Sequence, residues 1–177
     1  PLCAIKEIKM RSIFSILIIL ILFACSKSYK SEKVFTATIY DSANVLNNQQ
    51  SDSITALIKE LKTNTGSELS VIIIDTLNGQ SIEKYSIVKA DDLRLGREEY
   101  ADGVLFVVSV NDRKMRVEVG SGLELILKDE IVAKIIREII APEFRNQKYG
   151  QGIYLGIDNL KNLIESNKNL IGKRPKL

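Results

Sequence analysis

The segment from Ala101 to Glu124 constrains the fold more than any other part of this chain. Val104 to Val110 is a continuous apolar run, and Met115, Val117 and Val119 then alternate with Arg116 and Glu118. The first pattern is that of a strand covered on both faces, the second that of a strand with one wetter face. Only Asn111-Asp112-Arg113-Lys114 separates them. A link this short closes an antiparallel hairpin, because a parallel pair needs a crossover of a dozen residues or more.

The rest of the chain supplies helices around that hairpin. Asn47 or Asn48 can cap a helix that carries Ile54, Leu57, Ile58 and Leu61 on one face, and Gly66 stops it. Leu69 to Ile74 reads as another doubly covered strand. Ser81 caps a second helix with Ile82, Tyr85 and Val88 inward, ending near Gly96. A third starts at Asp129, carries Ile131, Ile135 and Ile139, and is ended or kinked by Pro142. A fourth runs from about Tyr149 to Glu165 with Ile153, Ile157, Leu160 and Ile164 along one face. Val34 to Tyr40 fits a short edge strand. Helices interleaved with buried strands make an α/β sandwich. The helical crossover from Leu69–Ile74 to Val104–Val110 makes those strands parallel and right-handed, and the hairpin turns the sheet into a mixed one.

The 177 residues suffice for one domain with a substantial core. The N-terminal end reads as an address. Lys9 and Arg11 precede an apolar run from Ile13 to Phe23, about half the length that spans a bilayer. Leu22-Phe23-Ala24-Cys25 resembles the bacterial lipobox, with Cys25 as the lipidated residue. On this reading residues 1–24 are a signal peptide, with Met10 as a start and 1–9 as upstream translation. Residues 25–33 are the lipidated cysteine and a polar tether, 34–165 the domain, and 166–177 a frayed basic tail. The protein is then expected in the bacterial cell envelope, anchored by lipid and facing the periplasm or exterior. Without residues 1–24 the formal charge falls from +3 to +1. No basic stripe interleaved with aromatics is present, so nucleic acid is not an expected partner.

The chain has no histidine, which removes His-based triads, His metal sites and His phosphoryl carriers. Cys3 and Cys25 are too few for a disulfide framework or a zinc site. Chemistry is left to carboxylates and arginines. Topology sorts them into two groups. Asp41 should lie near Asp75 and the Asn111-Asp112 turn at one end of the sheet, with Arg113 and Arg116 in the neighbourhood. Asp102, Ser121, Gly122 and Glu124 should share the other. At the first end a phosphate suits a helix N-terminus and an arginine fork. At the second, Asp102 and Glu124, beside the close backbone of Gly120 and Gly122, suit Ca²⁺ or Mg²⁺, which take oxygen ligands. A plainer reading stands beside each: Asp-Gly before a strand is ordinary turn chemistry, as is Asn-Asp in a hairpin.

These same residues resemble the TPM-domain family. The likeness runs through Tyr40-Asp41-Ser42-Ala43-Asn44-Val45-Leu46, Thr65-Gly66, Ser81-Ile82-Glu83-Lys84-Tyr85 and Leu95-Gly96. It continues through Asp102-Gly103-Val104-Leu105, Asp112-Arg113-Lys114, Arg116-Val117-Glu118-Val119-Gly120, Gly122-Leu123-Glu124, Ile135-Ile136-Arg137 and Phe144-Arg145. The resemblance implies a three-layer α/β/α Rossmann-like sandwich without a nucleotide-binding glycine loop. It implies membrane attachment outside the cytoplasm, as in bacterial TPM-domain lipoproteins. A plant branch in the thylakoid lumen, linked to photosystem II repair, is described as an acid phosphatase with calcium or other divalent ions at acidic residues. Carried over by motif, Asp41, Asp112, Arg113 and Arg116 would be catalytic, and Asp102 and Glu124 would hold metal. The alternative is a non-catalytic module for assembly or quality control of a membrane-protein partner. Two departures stand out: Leu93-Arg94-Leu95 where many relatives carry a tryptophan, and Ser121 where an aromatic residue is usual.

Overall fold

A computed structural model describes residues 39–173. Cys25, the tether, most of the Val34–Tyr40 strand and residues 174–177 lie outside the described residues. The elements, in chain order, are β1 (Ile39–Asp41), α1 (Asn48–Thr65), β2 (Glu68–Ile74), α2 (Ile82–Leu93), β3 (Gly103–Ser109), β4 (Lys114–Val119), α3 (Asp129–Ile135), a π-helical segment (Ile136–Ile140), α4 (Ala141–Arg145) and α5 (Tyr149–Ser166). A short 3₁₀ turn, Lys168–Leu170, follows.

The sheet has the order β1-β2-β3-β4, parallel from β1 to β3 and antiparallel at β3-β4. Both central strands are buried at every position, which is why they read as unbroken apolar runs. Leu69, Val71, Ile73, Val104, Phe106 and Val108 face α1 and α5 in the larger core, and Ile72, Ile74, Leu105 and Val107 face α2 in the smaller one. Phe106 is fully buried, and a side chain of its kind contributes about 1.5–3 kcal/mol by leaving water. The expected mixed α/β/α sandwich is therefore the observed architecture. The strands step in one direction while α1 and α2 lie on opposite faces. The two crossovers thus have opposite hands, and one departs from the right-handed rule.

Local chemistry sets the helix ends. Asn47 and Gln50 form a reciprocal capping box, at 2.9 and 3.0 Å, and Gly66 ends α1 at φ 82°. Ser81 caps α2, but Val88 is 49% exposed and Ser86 is buried instead, bonded to Glu118. Pro142 does not end the third helix. The chain widens to a π turn over Ile136–Ile140 and continues through Pro142 as α4. Residues 166–173 are not a frayed tail either. Leu170 and Ile171 pack on the larger core, and Gly172 N donates to the Gly122 carbonyl at 2.9 Å.

Candidate functional site

At the carboxyl edge of the parallel strands, the hairpin tip meets the loop after β2 as topology requires. Asn111 N donates to the Asp75 carbonyl at 2.8 Å. The Asp112 carboxylate accepts from Leu77 N and Ser109 Oγ, both at 2.6 Å, and from Thr76 Oγ1 at 3.4 Å. The Ser109 hydroxyl, followed by the Leu77 amide, holds this carboxyl below its ordinary value of 3.8. Asp112 is therefore a pin between two loops rather than a free catalytic group. A depressed folded-state value means that its stabilisation is present above the unfolded value and lost as pH falls through the folded one. Asp112→Asn should lower the melting temperature at neutral pH, and that gap should close below pH 3.8. A gap that persists unchanged in acid would show that the charge is not what holds the loops.

Asp41 ends β1, and its Oδ2 accepts from Leu46 N at 2.9 Å. Its Oδ1 is buried and has no partner among the described residues. β1 is two strands from β3, roughly 10 Å at sheet spacing. Asp41 and the hairpin tip share an edge without sharing a site.

Beside the hairpin tip lies a concave pocket of about 600 Å³. Arg113 and Lys114 line it from the hairpin, Phe144 and Arg145 from α4, Gln147 from the turn into α5 and Tyr149 from its first residue; among the described residues no carboxylate lines it. Arg113 and Arg145 are exposed and form no ion pair among the described residues. The Phe144 and Tyr149 rings meet at 4.9 Å, and α5 begins at Tyr149 without a side-chain cap. Helix starts are favourable to anions. Of the pocket's polar residues only Arg113 was singled out as catalytic from sequence. Arg145 was visible merely as half of Phe144-Arg145, and nothing in the spacing joins it to residue 113.

Arg116 does not join Arg113. Its strand position turns it to the α2 side, where it pairs with Glu118. The hydrogen bond from Arg116 Nε to Glu118 raises the Arg116 pKa, and Glu118 also accepts from Ser86 Oγ at 2.6 Å. The expected catalytic group of Asp41, Asp112, Arg113 and Arg116 is therefore dispersed over three places.

The opposite edge corrects the metal expectation. Gly122 N donates to the Ala101 carbonyl at 3.0 Å, so Asp102 does lie by the glycine loop. Yet Asp102 is fully buried. Oδ1 accepts from Arg97 N at 2.7 Å, and Oδ2 from Arg97 Nη2 at 2.5 Å, Arg97 Nε at 3.0 Å and Ser67 Oγ at 3.2 Å. Arg97 also bonds the Thr65 carbonyl and stacks 3.9 Å from the Tyr100 ring. Both oxygens are occupied by donors, which leaves no ligand for a hard cation. Glu124 is exposed and lines a different, acidic groove along β4. Gly120 and Gly122 serve close backbone approach, but to the chain itself: an added Cβ would lie 2.2 Å from the Ala101 oxygen and 1.7 Å from the Tyr100 oxygen. Among the described residues no cluster of three or more His, Cys, Asp or Glu is placed to hold a metal. The residues present do not fit the divalent ion that the resemblance implies.

Sequence reasoning missed the partners in this network. Glu68, 3% exposed, accepts from Gly96 N at 2.8 Å and pairs with Lys62 at 2.6 Å. One charged residue opening an apolar strand was the available signal.

The TPM domain family matches residues 39–163. The chain belongs to the TPM domain family. Its TPM domain is similar in fold to the N-terminal domain of a protein from P. gingivalis solved by NMR, at 24% identity and TM-score 0.69, covering 74% of this chain and 83% of that one. It is also similar to the BA42 protein of the psychrophilic bacterium Bizionia argentinensis, at 20% identity and TM-score 0.60, covering 68% and 82%. A third likeness is to the N-terminal domain of cg2496 from Corynebacterium glutamicum, at 8% identity and TM-score 0.59, covering 84% and 89%. No curated protein matches the chain significantly. At these identities the solved structures speak to the fold of the TPM domain alone.

Proposed function

We propose that this TPM domain binds phosphate esters in the pocket beside its hairpin tip, held at the bacterial cell envelope by a lipid on Cys25. The observation that carries the reading is the lining: Arg113, Lys114 and Arg145 converge on one concavity, with no carboxylate among its described lining residues. The pocket lies at the carboxyl ends of the strands, where open α/β sheets take their ligands. Arginine forks and the start of α5 suit a phosphoryl group.

Binding is better supported than turnover. The acid phosphatase activity implied by the resemblance needs a carboxylate beside the phosphate. Asp112 is engaged by three donors, and Asp41 stands two strands away. A second reading keeps a divalent ion and moves it to Asp41, whose buried Oδ1 lacks a partner among the described residues. One such oxygen is far short of the six or more that Ca²⁺ takes.

Titration of the protein with phenyl phosphate should shift amide signals of residues 109–115 and 144–149. Arg145→Ala and Arg113→Ala should each weaken binding by about tenfold, the loss expected for one charge-assisted pair. Unchanged affinity in both variants would remove the pocket from consideration. The same samples tested on a chromogenic phosphate ester should release no product above blank. Release that EDTA and Asp41→Ala both abolish would move the reading to metal-assisted hydrolysis.

A further inference from the structure

Among the described residues the outer edge of β4 is unpaired, and it lines a groove. Gly120 N donates to the Gly103 carbonyl at 2.8 Å, which fixes Gly103–Gly120 as a bonded pair of the antiparallel ladder. In such a ladder bonded and non-bonded pairs alternate. The register Leu105–Glu118, Val107–Arg116 and Ser109–Lys114 therefore points the amides of Lys114, Arg116 and Glu118 toward β3. The N–H and C=O groups of Met115, Val117 and Val119 point the other way, where no strand follows β4 in the sheet. None of them has a hydrogen-bond partner among the described residues.

All five residues from Met115 to Val119 line a single groove of about 890 Å³. Ile82 and Glu83 at the start of α2 wall it on one side, and Leu127, Val132 and Ile136 on the α3 side wall it on the other. A recessed edge of this kind does not meet a second recessed edge, because the flanking helices collide first. It does admit a single extended strand about 16 Å long. The rim carries Glu83, Glu118, Glu124, Asp129 and Glu130 against Arg116 and Lys128. Arg116 is already paired with Glu118, so the uncompensated charge is acidic.

We infer that β4 accepts an extended, lysine- or arginine-bearing segment of a partner polypeptide as a fifth strand of the sheet. Main-chain bonds to Met115, Val117 and Val119 supply affinity. The carboxylates of the rim select basic side chains, and the apolar wall below them takes alternate aliphatic ones. The site shares Met115 with the lining of the phosphate pocket but does not depend on phosphate binding, although both fit a domain that binds rather than turns over.

The test uses a fluorescent decapeptide of alternating lysine and valine, with an alternating glutamate and valine peptide as control. Val117→Pro deletes an outward N–H without touching the β3 ladder, a placement that edge strands tolerate. The paired reversal Glu124→Lys with Glu130→Lys changes two exposed charges and leaves the backbone alone. Each variant should weaken the lysine peptide at least tenfold and retain the wild-type affinity for phenyl phosphate if that binds; the charge reversal should also keep the wild-type melting profile, whereas Val117→Pro, which removes a side chain buried in the larger core, should melt lower. The glutamate peptide should not bind. In the wild type, amide signals of residues 115–119 should shift on titration. Equal affinity for the two peptides, shifts elsewhere, or binding unaffected by the charge reversal would overturn the assignment. So would a self-associated dimer that Val117→Pro disperses, since the occupant would then be a second copy. Should Val117→Pro fail to fold, the charge-reversed variant and the amide shifts decide alone.

Discussion

Replacing Arg97 by methionine is expected to lower the unfolding free energy by about 3 kcal/mol, the low end for one partner lost from a buried ion pair. The low end applies because the Arg97 side chain is 34% exposed whereas Asp102 is fully buried. The change strands a carboxylate whose oxygens receive three of their four donors from Arg97; the backbone N–H survives, and the two guanidinium bonds do not. The guanidinium also ties the end of α1, through the Thr65 carbonyl, to the loop before β3. Urea unfolding would measure the effect, and a loss under about 0.5 kcal/mol, the range of surface substitutions, would refute it. The result bears on function. A phenotype of Asp102→Ala would reflect loss of the fold's N-terminal edge and not loss of a metal ligand.

Gly122→Ala should be as damaging or more, on the order of 3–5 kcal/mol. A methyl group there would lie 1.7 Å from the Tyr100 carbonyl oxygen, and that atom is backbone. The 100–102 loop and the 120–122 loop would have to separate. That breaks the bond from Gly122 N to the Ala101 carbonyl and the bond from Gly172 N to the Gly122 carbonyl. Gly79→Ala is the control. Its φ of 82° is left-handed, which that of Gly122 is not, but nothing lies within 4 Å of the added carbon, so it should cost only about 1 kcal/mol. Equal melting temperatures for the two variants would mean that close approach is not what fixes Gly122.

The contrast between these loops and the hairpin tip shows how far a linear reading reaches. Asp102 and Asp112 have the same side chain, and each stands at a strand boundary. Sequence placed them at opposite edges, and the structure agrees. It could not tell that Arg97, five residues before Asp102, folds back to saturate it. Nor could it tell that Ser109 and the Leu77 amide occupy Asp112. Hydrogen-bond saturation depends on donors brought from separate loops. Arg113 and Arg145 illustrate the reverse case: two unremarkable exposed cations, 32 positions apart, become one pocket only because the π turn carries the third helix past Pro142 to the hairpin tip.

Periodicity and turn length by themselves determined most of the elements, the buried central strands, the antiparallel closure and the opposite edges on which Asp102 and Asp112 stand. These are short-range consequences of backbone geometry and of apolar surface leaving water. Tertiary structure alone decided which carboxylates remain free, which cations share a cavity and which strand edge stays open. Each of those is settled by the nearest neighbour in space, and for Asp102, Arg116 and Val117 that neighbour, or its absence, is not written in the spacing of residues along the chain.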